Sequence, residues 1–191
     1  MSTITDHIAG RVRELRSGAG LSLEALSARC GVSRSMLSQI ERGESSPTAV
    51  VLDRIASGLG VPLATLFDAP AAPPDPVVRA ADRTTWRDPA SGYVRTNVSP
   101  PGYPSPFAIV DVELPPGADV GYDNGPHLAG VHQQVWVRDG VLELTAGGAV
   151  HDLGPGDCVA MELDAPTRFR NTGASVVRYA VVVATPHRGA A

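Results

Sequence analysis

A chain of 191 residues, 43% hydrophobic and 19% charged, is long enough for one medium domain or two small ones and has the apolar content for a packed core. No run approaches the roughly 18 to 20 apolar residues of a membrane span. The opening residues show no basic patch followed by an apolar block, so neither a spanning helix nor a secretion signal is predicted. Cys30 and Cys158 lie far apart in no paired motif, and the expectation is a reduced, cytoplasmic protein.

The net charge of −4 is unevenly shared. Residues 1–68 carry seven Arg and seven Asp or Glu, whereas residues 69–191 carry nine Arg and thirteen acids. The acidic excess therefore lies wholly in the second half, and a negative sum does not exclude nucleic acid as a partner of the first. All sixteen basic residues are Arg.

Taken in chain order, the first half predicts five short helices. Ile4, Ile8, Val12 and Leu15 recur at helical spacing, giving a first helix over 5–17. Ser22 can cap a second over 23–30, and Gly31 supplies a tight turn. Ser33 caps a third over 34–42, with Gly43 just past its end. Ser46 followed by Pro47 predicts the start of a fourth, ending at Gly60, and Pro62 opens a last short helix through Phe67.

The stretch Asp68-Ala69-Pro70-Ala71-Ala72-Pro73-Pro74-Asp75-Pro76 has no large apolar residue and reads as a semi-rigid linker, placed at 69–78. Beyond it come short β-branched or alternating runs, 107–114, 131–137, 141–145 and 176–183. Turn signals separate them: Pro115-Pro116-Gly117, Asp139-Gly140, Gly147-Gly148, Gly154-Pro155-Gly156-Asp157 and Asn171-Thr172-Gly173. The fold class expected is two-domain: an all-α unit over 1–68 and an all-β sandwich or barrel over 79–191.

The run Leu23-Glu24-Ala25-Leu26-Ser27-Ala28-Arg29-Cys30-Gly31-Val32-Ser33-Arg34-Ser35-Met36-Leu37-Ser38-Gln39-Ile40-Glu41-Arg42-Gly43 resembles the Cro/C1-type (phage-repressor, XRE-like) helix-turn-helix. Ser46-Pro47-Thr48 and Leu59-Gly60-Val61-Pro62 fit the same pattern, so the resemblance covers about residues 7–67. Ser27 departs from it, since that family usually has Ala there. A plain helical bundle with a solvated Arg/Ser face is the blander alternative, and the length of the match with its punctuation weighs against it.

Packing agrees with the resemblance. Leu26, Leu37 and Ile40 can hold the two helices together, leaving Arg34, Ser35, Ser38 and Gln39 to read bases from the amino end of the third helix. Arg34 can donate bidentately to guanine and Gln39 can pair with adenine. Ser22, Arg42, Ser46 and Thr48 stand near helix ends, where hydroxyls and backbone N–H groups can hold phosphates.

The second half, from about residue 79, resembles the cupin family of small jelly-roll barrels. Gln133-Gln134-Val135-Trp136-Val137-Arg138-Asp139-Gly140 fits one cupin segment, and Gly154-Pro155-Gly156-Asp157 with Ala165-Pro166-Thr167-Arg168-Phe169-Arg170-Asn171 fits the other. Cupins hold a metal on two His, a Glu and a third His. The matching positions here are His127, Ala129, Gln133 and Thr167, so one expected ligand of four is present. The resemblance thus implies the scaffold without the metal, and no cofactor is expected.

Strand alternation turns His127, Gln133, Val135, Val137, Thr167 and Phe169 inward to an effector pocket, provided no bulge intervenes. A barrel packed solid and used only for dimerisation is the alternative. His132 is expected on the surface, Trp136 against the second sheet or a partner subunit, and Cys158 and Cys30 as small core residues.

Together the two resemblances imply a bacterial transcriptional repressor, not an enzyme. It would be a homodimer on an inverted-repeat operator in double-stranded DNA, with a small-molecule effector in the barrel. A cupin-type metalloenzyme carrying a DNA-binding domain, and an antitoxin-like protein with a protein partner, remain open. The missing ligands count against the first.

Overall fold

The computed structural model describes residues 4–67, 75–125 and 128–185. Most of the linker and His127 lie outside the described residues.

Four α-helices open the chain: α1 (Ile4–Gly18), α2 (Leu23–Cys30), α3 (Arg34–Glu41) and α4 (Ala49–Leu59). A 3₁₀ turn, Leu63–Phe67, follows. The caps explain the boundaries. Ser22 Oγ accepts from the N–H of Ala25 and Ser33 Oγ from that of Met36, each satisfying an orphan donor of a first turn. Gly31 ends α2 at φ 66°, a left-handed conformation that a side chain resists, and this reverses the chain into α3. Ile8, Val12, Leu26, Leu37, Ile40, Leu52 and Ile55 are buried together, the stripe that the helical spacing predicts.

Two expectations are corrected. The cap of α4 is Thr48, whose Oγ1 accepts from Val51 N–H at 3.3 Å, not Ser46, so Pro47 precedes the helix instead of opening it. The fifth helix is a 3₁₀ turn, a form suited to so short a piece.

Among the described residues ten strands form two sheets. One has the order β1 (Thr85–Arg87), β2 (Val94–Asn97), β3 (Phe107–Leu114), β10 (Val177–Ala184), β5 (His132–Asp139), β8 (Cys158–Glu162). The other has the order β4 (Asp119–Tyr122), β9 (Thr167–Arg170), β6 (Leu142–Ala146), β7 (Ala149–Leu153). The strands pair antiparallel throughout both sheets. Four of the five turn signals read from the sequence fall between consecutive strands, and the fifth, Asp139-Gly140, begins on the last residue of β5. The sheets bury their facing sides against each other, with Val112, Val135, Val137, Leu144, Phe169 and Tyr179 between them.

The helices pack directly on the sheets. Asp88, which follows β1, accepts from the N–H of Ala49 at 3.0 Å. Trp86 of β1 meets the ring of Phe67 edge-on, with 5.6 Å between centroids. Asn97 Nδ2 donates to the carbonyl of Phe67, and Asp53 of α4 accepts from the N–H of Asp123. Among the described residues no helix is long and apolar enough to cross a membrane.

Candidate DNA-binding face and barrel cavity

The helix-turn-helix presents the surface its sequence implies. Leu37 and Ile40 are buried, so the opposite side of α3 faces out, and Arg34, Ser35 and Gln39 are all exposed. Ser38 is half-buried. α3 is held at its far end by Arg16 of α1, which donates from Nε and one Nη to the two carboxylate oxygens of Glu41 at 2.6 and 2.8 Å. That fork keeps the Arg16 guanidinium more firmly protonated than usual, chiefly through its hydrogen bond to Glu41. A third contact, Arg16 Nη1 to the carbonyl of Leu21 at 2.7 Å, ties the same side chain to the loop before α2. The orientation of α3 is thus set by packing on one side and a bidentate pair at its end.

The four phosphate candidates differ in their readiness. Ser22 is exposed with its hydroxyl engaged as the cap of α2, and it marks the free amino end of that helix. Arg42 is exposed but already donates to both oxygens of Glu44, at 2.7 and 2.6 Å, and to Ser38 Oγ. The hydrogen bond lowers the Glu44 carboxyl below its ordinary range and raises Arg42, though both are fully solvated. Ser46 is exposed. Thr48 is half-buried beside the β part, where Asp88 occupies the first N–H of α4. A carboxylate already satisfies the end of α4 that was expected to face phosphate.

Between the sheets lies a cavity of about 70 Å³. Gln133, Thr167 and Phe169 line it, as alternation along β5 and β9 predicts. Val135 and Val137 also turn inward but are sealed in the core away from the cavity wall, which corrects their placement in the pocket. His132 is exposed, paired across the sheet with Glu162. One further expectation is narrowed and another corrected. Trp136 is 50% exposed on the outer face of the six-stranded sheet, which rules out the second sheet as its cover and leaves a partner subunit as the other expected one. Cys158 is exposed because its parity on β8 faces outward, whereas Cys30 is buried as expected.

The residues at the cupin ligand positions do not fit a divalent ion. Ala129 has no donor atom, and Thr167 Oγ1 already accepts from Asn124 Nδ2 at 3.1 Å. Gln133 offers only a neutral amide. Among the described residues no three His, Cys, Asp or Glu side chains converge in a metal-holding group.

The cavity contains residues the sequence reading missed: Asp53, Tyr93, Arg95, Tyr122, Asn124 and Tyr179. Burial pushes the Asp53 carboxyl up to about 6, opposed in part by its bond from Asp123 N–H. Burial also raises the Tyr122 and Tyr179 hydroxyls well above their ordinary range. Pro62, Leu63 and Ala64, from the end of the helical part, close the cavity on one side. One detectable signal was an acid, Asp53, inside the apolar run 49–56 of a helix.

Comparison with known proteins places both halves. Residues 12–66 match the helix-turn-helix family model and residues 110–183 the cupin domain model. The chain is 31% identical over 186 residues to the HTH-type transcriptional regulator SutR of Escherichia coli (strain K12), covering 97% of this chain and 99% of that one. It is 26% identical over 169 residues to the HTH-type transcriptional regulator PuuR of the same organism, covering 88% and 89%. The crystal structure of an HTH_3 family transcriptional regulator from Vibrio cholerae superposes with a TM-score of 0.76 at 28% identity, over 96% of this chain and 98% of that one. With a helix-turn-helix unit followed by a cupin domain, the chain belongs to the family of XRE-type helix-turn-helix transcriptional regulators that carry a cupin domain.

Proposed function

We propose that this DNA-binding regulator is a repressor that reads an inverted-repeat operator as a homodimer and is controlled by a small effector in its barrel. Residues 1–68 serve as the reading head and 79–191 as the sensing and pairing unit, joined by 69–78. The protein works by binding, without catalysis and without a metal, in the cytoplasm where the chromosome lies.

The observation that carries this reading is the shared cavity. Its walls come from the barrel, and its closing side comes from Pro62, Leu63 and Ala64 next to α4. A ligand there touches the sensing and reading parts at once, so its binding energy can differ between two arrangements of the pair. That difference is what an allosteric effector requires. Arg34, Ser35, Ser38 and Gln39 supply base contacts, and Ser22, Arg42 and Ser46 stand where they can hold phosphates. A single α3 makes few base contacts, and modules of this kind read two half-sites about 34 Å apart.

Selection of bound duplexes from a randomised pool by the full chain tests the reading. The expected result is a two-fold symmetric motif with half-sites one helical turn apart. Enrichment of a single unpaired half-site would sink the homodimer, and no enrichment would sink sequence-specific reading. A reporter driven by a promoter overlapping the selected motif should fall when the protein is expressed, and a rise would make it an activator.

A further inference from the structure

Arg95 of β2 is 7% exposed and lines the barrel cavity. Its Nε is buried without an acceptor. Among the described residues its guanidinium makes no hydrogen bond and no ion pair; its one described contact is with the Phe67 ring, 4.7 Å from the centroid. A guanidinium never sheds its proton, so this is a permanent, largely buried cation whose Nε donor is unused. Such burial is costly unless an anion completes it.

The alternative charge in the cavity is Asp53, which could hold a cationic ligand. It is the weaker candidate. Its carboxylate already accepts from Asp123 N–H at 3.3 Å, and no ion pair joins it to Arg95. Burial also favours its neutral form. The field of Arg95, by contrast, reaches into the cavity: it opposes the burial that raises Tyr122 and Tyr179. The remaining wall includes Val112, Leu128, Val181 and Phe169, so the space beyond the cation is apolar. A cavity of about 70 Å³ has room for about six water-sized groups.

We propose that the cavity binds a small organic acid whose carboxylate or sulfonate pairs with the Arg95 guanidinium while its short apolar body lies against the barrel wall. This rests on the barrel being an effector site and names the effector's chemical class. The bound anion completes a cation that already lies over Phe67, the last residue of the 3₁₀ turn, and so its presence is felt where the helical part meets the barrel.

The test uses the full chain with three short three-carbon probes, propionate, propionamide and propylamine, plus propane-1-sulfonate as a second acid. Thermal unfolding and titration calorimetry are read for wild type, Arg95→Gln and Arg95→Lys. Propionate or propane-1-sulfonate is expected to raise the melting temperature with dose, and the amide and amine are not. Arg95→Gln should weaken acid binding by about tenfold or more, and Arg95→Lys should keep part of it. Arg95→Gln without ligand should melt no lower than wild type, because an unpaired buried charge has been removed, which separates lost binding from lost folding. Equal binding of acid and amide, or acid binding unchanged in Arg95→Gln, would overturn the anion while leaving the effector site. Binding of propylamine alone would transfer the role to Asp53. No binding by any probe would overturn both this inference and the sensor reading, while operator binding, measured in parallel, would show whether the reading head stands without them.

Discussion

Asp88 and Ala49 are 39 residues apart in the chain, yet the Asp88 carboxylate accepts a 3.0 Å hydrogen bond from the Ala49 N–H at the start of α4. The other oxygen of the same carboxylate accepts from Ser91 N–H at 2.9 Å and Ser91 Oγ at 2.5 Å. A residue of the β part thus serves a buried end of the helical part, where a negative charge meets the positive end of the helix dipole. Removing it in Asp88→Ala leaves a buried N–H unsatisfied and should cost about 1–3 kcal/mol in denaturant unfolding. Asp88→Asn, which keeps an acceptor, should cost less. An unchanged midpoint in Asp88→Ala would mean that the contact does not join the two parts.

Arg34 and Thr48 should behave differently on DNA. Arg34→Ala is expected to lose about 1–3 kcal/mol on the native operator and to relax preference at one base position. Thr48→Ala removes a cap, so it should cost about 1 kcal/mol of stability and weaken binding to all duplexes alike. Titrations against single-base operator variants decide between them. Retained discrimination in Arg34→Ala would remove that residue from the reading set.

Asp53 predicts an unusual pH dependence. Its folded pKa of about 6 lies above the ordinary 3.8, so between those values the folded state binds more protons than the unfolded one. Stability from this group is therefore greatest below about pH 4 and declines as the pH rises through about 6. Asp53→Asn, which cannot ionise but still accepts from Asp123 N–H, should be more stable than wild type at pH 7 by on the order of 2 kcal/mol. Its stability should also be flatter across pH 4 to 7. Parallel curves for the two proteins would show that Asp53 is not buried as a charge.

Gly58 lies within α4, where Ala would normally strengthen a helix by about 1 kcal/mol. Here a Cβ would stand 2.7 Å from Cys30 Cβ and 3.2 Å from the Cys30 backbone, because α2 and α4 touch at this point. Gly58→Ala should therefore destabilise the protein by about 1–3 kcal/mol in chemical denaturation. A stabilised variant would mean that the two helices separate at little cost.

The helices, their caps and the strand turns were legible in the sequence because each is a local matter. Ser22, Ser33, Gly31 and Gly43 act on groups within a turn of themselves, and alternation along β5 alone turns Gln133 inward and His132 outward. The same locality misled where two neighbours competed: Ser46-Pro47 is a good start signal, yet Thr48 is the cap. Cys158 was placed by residue type, but strand parity sent it outward. What only the tertiary structure decided is how the helical part sits on the barrel. Asp53 meets Asp123, Asp88 meets Ala49, and Arg95 meets Phe67 across separations of 70, 39 and 28 residues. None of those partners is implied by spacing, because each depends on how two surfaces distant in the sequence pack together. A lone Arg in the strand Val94–Asn97 reads as an ordinary surface charge until the 3₁₀ turn and the second sheet are seen to enclose it.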